Sequence, residues 1–230
     1  MIGVIGGSLF FEVPLFNSLK KEIVKTDFGE AELFTDKNIC FITRHGSPPT
    51  IPPHMINHKA NISALKQAGC SQIISVCSTG SLKKQFKPGD IVLATDFIGL
   101  FTPITFFDKE IVHDVPSMGA KTGKAILKTA LSLGISIKKG VYVQTPGPRL
   151  ETKAEVKMLS QFADIVGMTA SSEAALSSEA GIDYGCICSI DNYAHGIVDE
   201  PLSNKAIVKA KKKNAGNVKK LVEAVLGEIK

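Results

Sequence analysis

The sequence predicts an α/β fold, a single domain with a central mixed β-sheet flanked by helices. Three observations carry this. Short β-rich runs alternate with stretches of helical spacing along all 230 residues. Hydrophobic content of 44% and charged content of 21% are ordinary for a soluble enzyme with a full core. Two turn-rich runs, Gly147-Pro148-Arg149-Leu150-Glu151-Thr152 and Gly167-Met168-Thr169, each follow a buried-strand pattern and precede a helical one. They deliver a carboxylate and a hydroxyl to strand ends, where open α/β sheets build ligand sites.

Residues 2–5 are a β-rich run that stops at Gly6-Gly7-Ser8, and residues 39–43 are another, ending at Arg44. Residues 56–68 have helical spacing. Residues 73–76 are expected as a strand that ends in Cys77-Ser78-Thr79-Gly80-Ser81. Lys87-Pro88-Gly89-Asp90 is a turn signal, after which a strand resumes over 91–94. Residues 121–133 read as an amphipathic helix stopped by Gly134. A strand over 140–144, a helix from about 152 to 161, a strand over 164–166, a helix from about 172 to 180 and a strand over 184–190 follow. The last helix starts near Ser203 and runs almost to the end. Residues 98–114 are the least regular and are expected as a loop over the site. No internal repeat, low-complexity segment or linker divides the chain, so residues 1–230 are expected as one domain.

The net charge of +5 invites a nucleic-acid reading. Much of the excess sits at Lys209, Lys211, Lys212 and Lys213, which read as a solvated helix face. No aromatic residue interleaves with them, so the stacking element of single-strand binding is missing and no nucleic-acid partner is expected. The five cysteines form no regular framework, which argues for reduced thiols and a cytoplasmic setting. Cys186-Ile187-Cys188 lies in a strand pattern and is expected to point its two thiols to opposite faces. Cys77 is expected as a small buried residue rather than a nucleophile. The chain shows no signal peptide and no apolar run long enough to span a bilayer, so no membrane partner is expected. The five histidines show no metal-site spacing, and no metal is expected. His54 and His58 follow Pro52-Pro53 and are expected on a helix surface.

Gly6-Gly7-Ser8 fails as a dinucleotide fingerprint, because Leu9-Phe10-Phe11 follows instead of further glycines. Two glycines still let the backbone approach an anion, and Ser8 adds a donor; a tight strand-end turn explains the run equally well. Arg44-His45 ends a strand. Its guanidinium fork fits phosphate oxygens, although a surface salt bridge would explain the pair alone. Ser8, Arg44, a hydroxyl from Ser78 or Thr79, and Thr169 together would make a phosphate cup. Glu151 and Asn192 suit the edge of a 6-oxopurine. The carboxylate accepts from N1–H; the amide donates to O6 and accepts from N7–H of the leaving base. Taken singly, Glu151 is a helix first-turn carboxylate and Asn192 a turn residue.

These runs resemble the trimeric purine nucleoside phosphorylase family, most closely its methylthioadenosine phosphorylase branch. The resemblance covers most of the chain. It rests on Gly3-Val4-Ile5-Gly6-Gly7-Ser8, Thr43-Arg44-His45-Gly46, Ile51-Pro52-Pro53-His54-Met55-Ile56-Asn57 and Ala60-Asn61-Ile62. It continues in Gly80-Ser81-Leu82, Pro88-Gly89-Asp90, Gly147-Pro148-Arg149 with Glu151-Thr152, and Val166-Gly167-Met168-Thr169 with Glu173. The resemblance implies phosphorolysis of a purine nucleoside, with inorganic phosphate as co-substrate and no cofactor. It implies that Ser8, Arg44, His45, Ser78 and Thr169 bind phosphate, that Met168 packs on the ribose, that Leu150 lies against the base and that Glu151 and Asn192 read its edge. Asn192 and His45 would be the catalytic residues. It also implies a homotrimer or higher homo-oligomer with sites near subunit boundaries.

The chain departs from the family at four places: Leu9 where glycine is usual, Leu150 where phenylalanine is usual, Cys77-Ser78 in the phosphate turn, and the segment after His113. Adenine-specific members carry aspartates where Asn192 and Ala194 lie. Asp191 is one residue early and would point the other way on a strand. The expected substrate is therefore inosine, guanosine or 5′-methylthioinosine. A true 5′-methylthioadenosine phosphorylase and a catalytically impaired nucleoside-binding member are the alternatives.

Overall fold

The computed structural model describes residues 1–7, 19–200 and 204–228; Ser8 and Leu9 lie outside them. The chain opens on β1 (Ile2–Gly6), buried along its whole length. A hairpin of β2 (Lys20–Thr26) and β3 (Gly29–Thr35) leads to β4 (Ile39–Thr43). Helix α1 (His58–Gln67), with Asn57 accepting from the Ala60 amide as its N-cap, leads to β5 (Gln72–Ser81) and β6 (Ile91–Ile98). Then come α2 (Ala120–Ser132), β7 (Ile137–Gln144), α3 (Lys153–Leu159), β8 (Ile165–Gly167) and α4 (Ala170–Glu179). Strand β9 (Asp183–Tyr193) and α5 (Asn204–Glu228) complete the order. The expected alternation and the mixed sheet are both present.

Strand alternation sets the two layers. Val4, Ile74, Val76 and Ile187 face α2 and α5, packing with Ile126, Ala130, Val218, Leu221 and Val225. Ile5, Ile73, Cys186 and Cys188 face the other way and share a core with Ile62, Leu65, Ala174 and Leu176 of α1 and α4.

The sheet order is β2-β3-β4-β1-β5-β8-β7-β6-β9, and β9 pairs back onto β5. Strands β5, β8, β7, β6 and β9 therefore close into a ring. Strand β5 belongs to both the open sheet and the ring. Its first half, through Val76, pairs with β1; its last two residues, Gly80 and Ser81, pair with β8. Between them, residues 77–79 have no strand partner on that edge among the described residues.

Several sequence expectations change. β5 continues through Cys77 to Ser81, because β9 pairs with it throughout and overrides the turn-like Ser78–Gly80 composition. β9 likewise runs to Tyr193, so Asn192 sits within a strand rather than in a turn after one. The β2–β3 hairpin was not legible, because most of β2 is exposed and charged and lacks a buried face. Residues two apart in a strand share a face, so the expectation for the thiols fails: Cys186 Sγ lies 3.6 Å from Cys188 Sγ. His58 is buried rather than on a helix surface, while His54 is exposed. The irregular 98–114 segment packs against α1 and α4. Thr105 Oγ1 and Phe106 N donate to Glu179, and Lys59 bonds Asp108 at 2.6 Å. It does not line the main cavity.

Candidate active site

A cavity of about 460 Å³ opens where β5 exchanges β1 for β8. Arg44, His45, Ser78, Leu150, Glu151, Met168, Thr169 and Asn192 all line it. Every described residue expected in the site is thus brought to one place. Parallel β1, β4 and β5 point the same way, so Gly7 and Arg44 arrive together at its floor.

Arg44 is neither surface-exposed nor free to clamp an anion with its fork. It is 2% exposed, and Nε and Nη2 both donate to the Glu173 carboxylate of α4. Nη2 also donates to Ser75 Oγ at 2.7 Å, and Nη1 to the Val76 carbonyl at 3.1 Å. Among the described residues Nη1 has no second acceptor, and it lies close to Gly7. A Cβ on Gly7 would lie 2.6 Å from Nη1, so only glycine leaves room for that group. Glu173 in turn accepts from Ser75 Oγ and Tyr184 Oη, each at 2.8 Å. Burial works against both charges. Their mutual attraction outweighs it, holding Arg44 protonated far above its ordinary range and Glu173 below the usual carboxylate range. His58 Nδ1 stands 3.9 Å from the carboxylate, yet burial pushes the imidazole down to about 4, so it is neutral near pH 7.

Ser78 lines the cavity, but its hydroxyl donates to Asp191. Its backbone is the more useful group. Arg44 marks the Val76 carbonyl as facing the open edge of β5, and the period of two puts the Ser78 N–H on that same edge. Thr79 spends its hydroxyl on the Ser189 carbonyl at 2.9 Å. Thr169 keeps its backbone busy instead. Its N–H and that of Ala170 donate to Tyr142 Oη at 3.1 and 3.2 Å, so the start of α4 is satisfied internally and the Thr169 hydroxyl faces Cys77 and the cavity. His45 Nδ1 donates to the Ile51 carbonyl at 2.8 Å, fixing the ring. Cys77 is 2% exposed; contact with Cys186, then burial, push its thiol far up, which suits packing rather than attack.

The opposite wall comes from the β7–α3 turn. Gly147, at φ +66, would bring a Cβ within 2.6 Å of Met168 Sδ, so the turn and Met168 pack only through a glycine. Leu150 is half exposed over the cavity. Glu151 is buried, and its Oε1 accepts from Thr145 Oγ1 at 2.6 Å. A capping box, Thr152 with Glu155, starts α3 immediately afterwards. Asn192 faces the cavity across from Gly80, with Nδ2 donating to the Tyr193 carbonyl at 2.8 Å. Thr79 pairs with Ile190 and Gly80 with Asn192, which leaves Asp191 as the extra residue of a bulge. Asp191 is buried and accepts from Ser78 and Ser189 hydroxyls. It is not among the residues that line the cavity, although its partner Ser78 is.

Tyr184 and Tyr142 carry no signal in a single sequence, since each reads as an ordinary core position. Glu173 stood out only through the family resemblance, and its pairing with Arg44 was not anticipated. His195, Pro49, Ile51 and Ile207 also line the cavity and were not anticipated. Sequence spacing cannot place them, because they come from loops and from α5.

The fold and cavity define an α/β protein whose site joins a floor built on the buried Arg44 to walls that carry Glu151 and Asn192. Residues 1–227 match the phosphorylase superfamily model, and the chain belongs to that family. It is 37% identical to a protein of Archaeoglobus fulgidus named a probable 6-oxopurine nucleoside phosphorylase, over 100% of this chain and 97% of that one. It is 38% identical to a probable S-methyl-5′-thioinosine phosphorylase of Methanocaldococcus jannaschii, over 97% and 90%. The backbone matches methylthioadenosine phosphorylase from Schistosoma mansoni, solved with adenine, at a TM-score of 0.87. Identity there is 25%, covering 99% of this chain and 91% of that one.

Breaking a buried ion pair strands the surviving charge, at a cost of about 3–5 kcal/mol. Arg44→Met alone and Glu173→Gln alone are each expected to lose stability of that order in urea denaturation. The double variant is expected to recover most of the loss. Additive losses would contradict the pairing.

Proposed function

We propose that the protein is a phosphate-dependent purine nucleoside phosphorylase, a pentosyltransferase that yields free purine and ribose 1-phosphate. The observation that carries this is one cavity lined both by a buried arginine with the Thr169 hydroxyl and by the buried Glu151 carboxylate and the Asn192 amide. The family and the named relatives support the same reaction.

In this reading phosphate is held by the remaining Arg44 N–H, the Ser78 amide, the Thr169 hydroxyl and His45. Ser8 would add to them; it lies outside the described residues. Because Glu173 compensates Arg44, directed N–H and O–H groups share the work of holding the dianion with the guanidinium charge. The ribose rests on Met168 and the base on Leu150. Bond cleavage leaves positive charge on the sugar, and the fixed phosphate stabilises it and then attacks C1′. Inorganic phosphate is the co-substrate, and the proposed reaction calls for no other cofactor. Asn192 assists by hydrogen bonding N7 of the departing base.

A 6-oxopurine fits the wall best. Glu151 accepts from N1–H, while Asn192 donates to O6 and accepts from protonated N7. Adenine would place its N1 lone pair against the carboxylate. Ala194 supplies no second acid. A second reading, 5′-methylthioadenosine phosphorylase, is favoured by the backbone likeness to the schistosome enzyme.

Wild type is expected to cleave inosine, guanosine or 5′-methylthioinosine with kcat/KM well above that for the adenine counterparts. Asn192→Asp is expected to shift that ratio toward 6-aminopurines, in part only because Ala194 is unchanged. A wild-type preference for adenine nucleosides that Asn192→Asp leaves alone would replace the first reading by the second.

We also propose a cytoplasmic homotrimer. Leu100, Ile111 and Val115 are 82%, 91% and 87% exposed on one irregular segment, an apolar surface suited to a neighbouring subunit. The five free, buried thiols suit a reducing compartment. Light scattering is expected to give about three times the chain mass; a monomer at micromolar concentration would contradict it.

A further inference from the structure

We infer that Thr145 is a positioning residue that sets base selectivity through Glu151, an inference that rests on the 6-oxopurine reading above. Thr145 does not line the main cavity. It lines a neighbouring one of about 230 Å³, and Glu151 is the wall between the two. Thr145 is therefore placed to act on substrate only through that carboxylate.

The geometry holds Glu151 from both sides. Thr145 follows the last residue of β7, and its N–H donates to the Gly167 carbonyl at 2.9 Å, which anchors its backbone to the sheet. Its hydroxyl donates to Glu151 Oε1 at 2.6 Å, closing the turn over residues 145–151. On the far side, Arg149 binds Glu155 through both terminal nitrogens at 2.8 and 2.7 Å, and Thr152 caps α3. With Oε1 engaged by Thr145, rotation of the carboxylate is restrained. Glu151 lines the cavity, and its Oε2 has no hydrogen-bond partner among the described residues.

A fixed acceptor discriminates more sharply than a mobile one. Against N1–H of a 6-oxopurine it makes a charge-assisted hydrogen bond. Against the N1 lone pair of a 6-aminopurine it sets acceptor against acceptor and cannot rotate away. Losing the Thr145 hydroxyl frees the carboxylate to turn. Recognition of the oxopurine weakens, and repulsion of the aminopurine is relieved.

Thr145→Val keeps the shape of the side chain and removes only the donor. For inosine and 5′-methylthioinosine, kcat/KM is expected to fall about tenfold, chiefly through KM, as for loss of one hydrogen bond to a charged group. For adenosine the change is expected to stay within about threefold, so selectivity narrows. Thr145→Ser is expected to restore the wild-type ratio. Thermal melts verify folding, and Thr145→Ala is the second hydroxyl-free variant if valine is not accommodated. Equal losses on oxo- and aminopurines, or an unchanged ratio, would overturn the role of Thr145 alone. A wild type without oxopurine preference would overturn the base reading beneath it.

Discussion

The buried pair of Arg44 and Glu173 is the contact on which the rest of the site depends. It joins the end of β4 to α4 across the start of the cavity. Ser75 and Tyr184 complete the carboxylate's hydrogen bonds, and the Val76 carbonyl takes one of the guanidinium's. Two charges removed from water are tolerated only with this degree of satisfaction. The pair also explains neighbouring choices of residue. Gly7 makes room for Nη1, and His58 stays neutral chiefly because it is buried, with the Arg44 charge adding to that effect. The floor of the cavity is thus rigid and nearly charge-balanced, with directed donors at its surface.

Topology supplies the opening above that floor. A strand shared between an open sheet and a closed ring must change partners, and β5 does so over residues 77–79. The unpartnered edge leaves backbone groups facing a cavity rather than another strand. That is the circumstance in which a sheet can offer main-chain donors to a ligand. The bulge at Asp191 and the glycine turn at Gly147 then bring Asn192 and Glu151 to the same opening from opposite directions. Base recognition and anion binding are adjacent because both use the place where the sheet divides.

Much of this was legible in the sequence. Apolar alternation marked the buried strands, and polar residues at their ends marked the site, since a side chain at a strand terminus has few places to go. What stayed hidden was tertiary. Arg44 looked like a phosphate fork or a surface ion; only the fold shows the fork turned to Glu173, more than a hundred residues away. Ser78 looked like a hydroxyl donor, yet Asp191 takes that hydroxyl and leaves the amide. The β5 and β9 strands ran past their apparent ends because mutual pairing outweighed Gly80 and Asn192. The β2–β3 hairpin lacked a buried face to announce it.

The proposed reaction requires phosphate to attack the sugar carbon in this cavity. Phosphorus NMR of the purified protein with inosine and inorganic phosphate tests that step directly. A new sugar 1-phosphate resonance should grow in proportion to released hypoxanthine, and no base should be released when phosphate is withheld. Base release that proceeds equally without phosphate, or no release from any purine nucleoside in its presence, would contradict it.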